Sequence, residues 1–461
     1  MGMNMSAERK YTMDMCHGPL LGKVLRFSIP LILSNLAALL FHAADLIVLG
    51  QFTTSDDVAA VGASCGFIAL MLNLFWGIAT GVNVLAARYT GAKDPEMVSK
   101  TVHTSIAVAI AGGIIMGIAS FLLTDPILHL MATPEDIMDK ARLYLQISCV
   151  GVPFMILYSF GSAIIRAVGD TKRPLMYMII SGVVNVLLNL FFILVLKMDV
   201  AGVAIATQAA HFISAFLILR ALAKSNEDYR LFWKKICIDW KSLKDMLKIG
   251  IPAGFQGAMF TVSNMGIQSS INTFGPDAIA GNTAAINLEG LIYAVCYAFY
   301  FASISFTGQN RGGRQYKRVV KSIFICMGCS AVGIALLGWA FILSGKELLA
   351  IYNPDPLAVQ WGLIRVKFVF ALYFFCGIMD VISGSLRGLG HSLKPAIVTV
   401  FGVCILRMIW IFTVFRHEPS LETLFIVYPV SWILICLING TMLYMVCRKM
   451  LKNASKRLFD K

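Results

Sequence analysis

Twelve long apolar segments separated by short polar loops constrain the fold of this 461-residue chain more than any other feature. About 20 consecutive apolar residues form a helix that is long enough to cross a bilayer. The chain is 58% hydrophobic and only 14% charged, whereas a soluble protein is about 25% charged. We therefore predict an all-α integral membrane protein with twelve transmembrane helices. The segments lie near residues 27–50, 60–87, 101–123, 143–165, 175–196, 201–223, 249–274, 284–308, 321–343, 361–386, 396–415 and 424–447.

The basic residues are distributed asymmetrically between the loops. When the loops are assigned alternately to the two sides, 31 of the 39 Lys and Arg residues share a side with the N-terminus. Because cytoplasmic loops are enriched in Lys and Arg, we expect both termini in the cytoplasm and the protein in the inner (cytoplasmic) membrane. The net charge of +14 then reflects topology and contact with anionic membrane lipids. It does not indicate nucleic-acid binding.

The chain also contains a tandem repeat with an offset of roughly 221 residues. The sequence at 165–169 is echoed at 386–390, and Pro30 is echoed by Pro252. Each repeat holds six segments, so the two six-helix lobes should be related by a pseudo-two-fold axis along the membrane normal, an architecture typical of alternating-access transporters. The predicted divisions are an N-terminal tail (1–24), an N-lobe (25–224), a basic linker (225–247), a C-lobe (248–447) and a basic tail (448–461).

Asp45 lies inside the first apolar segment, where the other titratable side chain is His42. A carboxylate within a membrane helix costs about 2.5 kcal/mol or more, and such residues usually face a polar cavity or an ion pathway. We interpret Asp45 as a functional residue. The alternative is an acid near the helix end that reaches water.

The eleven cysteines do not indicate a special site. Most lie within apolar segments, and Cys326 and Cys329 have neither a second cysteine pair nor a histidine nearby. The pattern predicts packing thiols, with no disulfide framework, no metal site and no cofactor.

Short motifs at the ends of several segments resemble those of the multidrug and toxic compound extrusion (MATE) family. Asp45-Leu-Ile-Val-Leu-Gly50 closes the first segment, and Arg166-Ala-Val-Gly169-Asp-Thr-Lys-Arg-Pro174 follows the fourth. The resemblance covers essentially all of the chain beyond the N-terminal tail. Within the family, the chain most resembles the bacterial DinF-like branch. The remaining motifs are Ala87-Arg88, Gly91-Ala92-Lys93, the pair Asn185 and Asn189, Gly308-Gln309-Asn310 and Leu386-Arg387-Gly-Leu-Gly390.

The resemblance implies an antiporter that exports cationic or amphipathic drugs in exchange for H⁺ or Na⁺. In the family, the acid matching Asp45 works with polar residues of the fifth helix in an N-lobe cavity. The matching positions here are Asn185 and Asn189, with Thr207 and Tyr144 also in register. Asn185 and Asn189 are four residues apart and share one helix face. The alternative is that these groups only join helices within the bundle. We expect a monomer that acts on small molecules.

Three further ionisable candidates lie in the C-lobe segments: Glu289, Asp380 and Arg407. Arg365 and Lys367 also lie within the tenth segment, near its start. The seventh segment lacks the acid that some family branches carry, which weakens the case for a Na⁺ site in this lobe. Counted along their helices, Asp380 and Arg407 lie roughly 10 and 19 Å above the cytoplasmic ends, and their side chains lean toward each other. We expect an internal ion pair rather than a second proton site.

Two other functions remain as alternatives. A lipid-linked oligosaccharide flippase of the same superfamily would typically have more spans and a cavity rich in Arg and Lys. A membrane-embedded transferase would need a His/Asp or Ser/His grouping at a membrane edge, and the sequence shows none. Two diverged repeats favour the transporter.

The topology can be tested by cysteine accessibility in intact cells. Cysteines introduced near Thr54 and Pro276 should react with an impermeant reagent added outside, because the charge asymmetry places these loops outside. Cysteines near Asp228 and Lys456 should react only after permeabilisation. Labelling near Asp228 in intact cells would contradict the twelve-span topology with both termini inside.

Overall fold

A computed structural model describes residues 12–131 and 133–459. This part of the chain is helical and contains no β-strand, which confirms the predicted all-α fold. Ten of its helices are long and apolar enough to cross a membrane, and two helices joined at a 48° bend form an eleventh span. A twelfth helix of 33 residues is more polar. The protein is therefore a multi-pass membrane protein.

Twelve long helical stretches follow the twelve apolar segments, and we number them in chain order. The first six are α1 (Leu20–Phe52), α2 (Ser55–Ala92), α3 (Pro95–Leu122), α4 (Glu135–Ala167), α5 (Lys172–Leu190, continued by Phe191–Val195) and α6 (Asp199–Ala223). The next six are α7 (Trp240–Asn272), α8 (Pro276–Gly312), α9 (Tyr316–Leu343), α10 (Pro356–Arg365, Val366–Phe370 and Phe374–Gly388), α11 (Leu393–Thr399, Val400–Ile405, Leu406–Phe412 and Val414–His417) and α12 (Leu421–Phe459). Short helices at Thr124–Leu130 and Gly345–Tyr352 and a 3₁₀ turn at Trp233–Lys235 lie between them.

Three of these helices contain a π-helical turn. The turns are Phe191–Val195 at the end of α5, Val366–Phe370 in α10 and Val400–Ile405 in α11. A π turn widens the hydrogen-bond ring by one residue, and such turns occur frequently at functional sites. Because it inserts a residue relative to an α-helix, it rotates the downstream helix face by roughly 100°.

Contacts divide the described chain into two compact units. Unit 1 comprises residues 12–14 and 33–250, and unit 2 comprises residues 15–32 and 251–459. The boundaries fall inside α1 and α7, close to Pro30 and Pro252. A proline interrupts the helical hydrogen-bond ladder because it has no amide hydrogen. The lobe and linker boundaries drawn from the sequence stay a prediction.

Within unit 1, the basic linker after α6 packs against the start of α3. The backbone amide of Phe232 donates to His103 Nε2 at 3.1 Å, and the amide of Asp239 donates to Thr104 Oγ1 at 3.0 Å. The Asp239 carboxylate in turn accepts the amide of Ser242 at 2.8 Å. This hydrogen bond favours the charged carboxylate and lowers the pKa of Asp239 below its usual value. Hydrogen bonds thus hold the linker to α3 and to the first turn of α7.

Within unit 2, the segment before α1 is held by the first turn of α9. The Arg318 guanidinium donates to the carbonyl oxygens of Met15, His17 and Gly18 at 2.8–2.9 Å. Arginine suits this role because its planar group presents several donors in a fixed geometry. The sequence pattern gave no indication of this contact.

Unit 2 also brings α8 and α10 into close contact at glycines. A Cβ added to Gly281 would lie 2.7 Å from the backbone nitrogen of Gly362, so the two backbones can approach only because both positions lack side chains. Small residues commonly permit such approaches between membrane helices. The contact places Asn282 of α8 beside Arg365 of α10.

Candidate functional site

A chain of hydrogen-bonded polar side chains crosses three helices of unit 1. The Asn189 amide nitrogen on α5 donates to Asp45 Oδ1 on α1 at 2.5 Å and lies 3.5 Å from Asn185 Oδ1. The Asn185 amide nitrogen donates to Thr207 Oγ1 on α6 at 3.3 Å. Thr207 donates to the carbonyl of Val203 in its own helix at 2.9 Å. Four of the residues that the sequence analysis singled out therefore form one connected group.

The amide groups at the centre of this chain are out of contact with solvent. Asn189 is fully buried and Asn185 is 4% exposed, whereas Asp45 is half-buried. Asn189 Oδ1 is buried and accepts no hydrogen bond from the described residues. A buried acceptor without a donor costs free energy, on the order of 1–3 kcal/mol. The oxygen is suited to accept a hydrogen from a protonated carboxyl group or to coordinate a small cation.

Tyr144, the fifth predicted residue of this lobe, lies in the apolar surroundings of the site. It is 8% exposed and belongs to a hydrophobic cluster with Val48, Leu49 and Val203. Val48 and Leu49 follow Asp45 by one turn on α1, and Val203 precedes Thr207 by one turn on α6. Tyr144 therefore packs beside the polar chain, and its role in binding stays a prediction.

In unit 2, Glu289 of α8 forms an ion pair with Arg365 of α10. Arg365 Nη2 and Nε donate to Glu289 Oε2 at 2.6 and 3.0 Å, and Tyr373 donates its hydroxyl to Glu289 Oε1 at 3.1 Å. Arg365 Nη1 also donates to Asn282 Oδ1 at 2.9 Å. Both oxygens of Glu289 are thus occupied, and its charge is compensated by a buried cation. The predicted binding role of Glu289 stays untested, but the carboxylate is already committed to a partner.

The expected ion pair between Asp380 and Arg407 is wrong. Among the described residues, neither side chain forms a salt bridge. Arg407 is buried, lies 4.0 Å above the centre of the Tyr428 ring and donates to Asn264 Oδ1 at 3.3 Å. The depth estimate assumed uninterrupted α-helices. The counted depths of the two residues also differed by roughly 9 Å, and the π turn before Arg407 in α11 rotates the helix face that carries it.

The ion pair that Arg365 forms in unit 2 was not predicted from the sequence. The signal for it was the position of Arg365, since an arginine within an apolar segment requires a compensating partner, and Glu289 was an available acid two helices earlier. The π turns were also not predicted from the sequence. They lie near polar residues in each case: the first begins two residues after Asn189, the second begins directly after Arg365, and the third ends two residues before Arg407.

A double-mutant cycle tests the Glu289–Arg365 pair. Glu289→Gln or Arg365→Gln alone leaves an uncompensated buried charge, which should destabilise the protein by about 3–5 kcal/mol. The double variant should regain much of that loss. The fraction that stays monodisperse after heating in detergent measures the effect. As a control, Lys100→Gln removes the exposed pair with Glu96 and should leave the monodisperse fraction close to that of the unmodified protein, because exposed ion pairs are screened by solvent. Additive losses at Glu289 and Arg365 would contradict a direct pair.

The family model MatE matches residues 30–191 and again residues 252–413, once in each half of the chain. The probable multidrug resistance protein YpnP of Bacillus subtilis is 28% identical, over 86% of this chain and 88% of the relative. The multidrug export protein MepA of Staphylococcus haemolyticus is 22% identical, over 82% of this chain and 83% of the relative.

Solved structures show the same fold. A crystal structure of MATE in the straight conformation matches with a TM-score of 0.87 at 19% identity, covering 95% of this chain and 98% of the other. A MOP superfamily transporter from Pyrococcus furiosus matches with a TM-score of 0.88 at 18% identity and the same coverage. The family model covers well over half of the sequence and repeats at the predicted spacing. The chain therefore belongs to the MatE family, that of the multidrug and toxic compound extrusion transporters.

Proposed function

We propose that this transporter exports cationic or amphipathic drugs across the cytoplasmic membrane in exchange for H⁺ or Na⁺, by alternating access of its two lobes. Relatives that are named multidrug resistance or multidrug export proteins support the export of drugs. We further propose that the protein acts as a monomer with both termini in the cytoplasm. It is a transporter and not an enzyme.

The observation that carries this proposal is the hydrogen-bonded chain from Asp45 through Asn189 and Asn185 to Thr207. Asp45 is the one ionisable side chain in this group, and the other three side chains carry neutral amides or a hydroxyl. Among the described residues, no basic side chain forms a salt bridge with Asp45. The negative charge is therefore available to an exchangeable partner.

Competition for this carboxylate couples the two transported species. A proton bound to Asp45 removes the charge that attracts a cationic drug, so the two ligands exclude each other. A ligand shifts a conformational equilibrium only through its different affinities for the two states. If each ligand favours a different orientation of the lobes, this competition provides such a difference. Asn189 Oδ1, which accepts no hydrogen bond from the described residues, can accept the acid hydrogen of a protonated Asp45.

Sodium is the alternative coupling ion at the same place. Hard cations prefer oxygen ligands, and Asp45 and Asn189 both present oxygens beside the polar chain. Among the described residues, no cluster of three or more His, Cys, Asp or Glu side chains could hold a metal ion. A sodium site here would thus combine one carboxylate with neutral amide and hydroxyl oxygens.

The other two functions receive less support. In unit 2, Arg365 is committed to Glu289, and Arg407 lies against the Tyr428 ring. Neither cation is therefore free to hold the diphosphate of a lipid-linked sugar. The family membership and the tandem match also favour a transporter over a membrane-embedded transferase.

Transport by purified protein in liposomes tests the proposal. With an imposed H⁺ or Na⁺ gradient, the unmodified protein should accumulate a fluorescent organic cation against its gradient. Asp45→Asn should abolish this uptake because the variant can no longer exchange charge with an ion. Asn189→Asp should retain transport but change its dependence on pH or Na⁺, because it adds a second ionisable group to the chain.

The control is Asp139→Asn, which removes a carboxylate whose side chain is 94% exposed. This variant should transport like the unmodified protein. Size-exclusion profiles should show that all three variants are folded. Concentrative transport by Asp45→Asn with unchanged ion dependence would place the coupling site elsewhere, and Asp380 would be the next carboxylate to test.

A further inference from the structure

A basic cavity of about 340 Å³ lies where the start of α5 meets the end of α6 in unit 1. Arg173 and Tyr177 line it from α5, Arg220 and Lys224 line it from α6, and Tyr229 closes it from the linker. Three cationic side chains and no acidic side chain line the cavity. None of these residues belongs to the Asp45 site or to the Glu289 network.

The charge of the cavity is only partly compensated. Arg173 donates through Nε to the buried Asp170 carboxylate and through Nη2 to the Tyr229 hydroxyl at 3.0 Å. Arg220 and Lys224 are exposed, and neither forms a salt bridge within the described residues. About two positive charges therefore face the cavity without a fixed counter-ion. This arrangement suits an anionic ligand with several oxygen acceptors.

The cavity lies at the end of an apolar surface on α6. Phe212, Phe216, Arg220 and Lys224 are spaced by four residues and form one row on the helix. Both phenyl rings in the row are 52% exposed. The row therefore changes from apolar to cationic at the cavity, as a surface does when it passes from hydrocarbon to head groups.

A matching apolar row runs along α5. Met176, Ile180 and Val183 follow Arg173 at helical spacing and are 42–49% exposed. Since both helices have the length and apolarity of membrane spans, these exposed residues suit contact with lipid chains. Cationic groups and hydrocarbon-facing surface thus adjoin on both helices that form the cavity.

We propose that the cavity between α5 and α6 binds the phosphate of an anionic phospholipid, with the acyl chains along the exposed rows of the two helices. Arg220 and Lys224 contact the phosphate oxygens, and Arg173, held by Asp170, completes the basic lining. Basic pockets between membrane helices on the cytoplasmic side are suited to acidic head groups. The apolar rows distinguish a lipid from a soluble anion, which would use only the cations.

Native mass spectrometry of the full-length protein with added phosphatidylglycerol or phosphatidylcholine tests this proposal. The unmodified protein should bind phosphatidylglycerol more tightly. Each cation near an anionic surface contributes about 1 kcal/mol, or about five-fold in affinity. The double variant Arg220→Gln with Lys224→Gln should therefore bind phosphatidylglycerol about 25-fold more weakly.

A matched control removes the same charge from the same basic region. Lys241 and Lys244 are exposed at the start of α7 and do not line the cavity. Lys241→Gln with Lys244→Gln should leave phosphatidylglycerol affinity within about two-fold of the original. Equal losses in both double variants would overturn the site, because net charge alone would then explain binding.

Inorganic phosphate separates the two sources of a phosphate group. Under the lipid proposal, inorganic phosphate at about 10 mM should displace little phosphatidylglycerol, because it gains nothing from the apolar rows. Displacement of the lipid by phosphate at that concentration would overturn the lipid assignment and identify a site for soluble anions. Size-exclusion profiles of each variant show whether the protein stays folded during these measurements.

Discussion

A carboxylate buried among membrane helices persists only if hydrogen bonds, a counter-ion or protonation compensates its charge. The two units of this protein meet that requirement in different ways. Glu289 is held by the Arg365 guanidinium and the Tyr373 hydroxyl. Asp45 receives a hydrogen bond from the neutral amide of Asn189. Much of the polar arrangement inside the helices follows from these two contacts.

The difference between the two acids suits them to different roles. A carboxylate paired with a buried guanidinium loses much of its stabilisation when it is protonated, so the Glu289–Arg365 pair resists exchange. A carboxylate supported by amides can accept a proton, a metal cation or an organic cation without breaking an ion pair. We therefore propose that coupling takes place in unit 1, while the network around Arg365 joins α8 to α10. Gly281 and Gly362 permit the close approach that this network requires.

The sequence predicted the features that depend on local pattern. The apolar segments predicted the helices because segment length and hydrophobicity decide membrane insertion. The spacing of Asn185 and Asn189 correctly placed them on one face, since α5 stays α-helical until Leu190. The Asp380–Arg407 pair failed because the counted depths of the two residues already differed by roughly 9 Å and because a π turn in α11, which the sequence does not predict, rotates the helix face that carries Arg407. The Arg365–Glu289 pair and the cavity beside Arg220 depend on packing between helices, which a single sequence does not specify.

The most direct test of this account is ion release on drug binding. When an organic cation binds the purified, weakly buffered protein in detergent, about one H⁺ or one bound Na⁺ should be released, because the two ligands compete for Asp45. Asp45→Asn should release neither ion, whereas Asp139→Asn should behave like the unmodified protein. Unchanged ion release from Asp45→Asn would contradict the claim that this carboxylate couples transport.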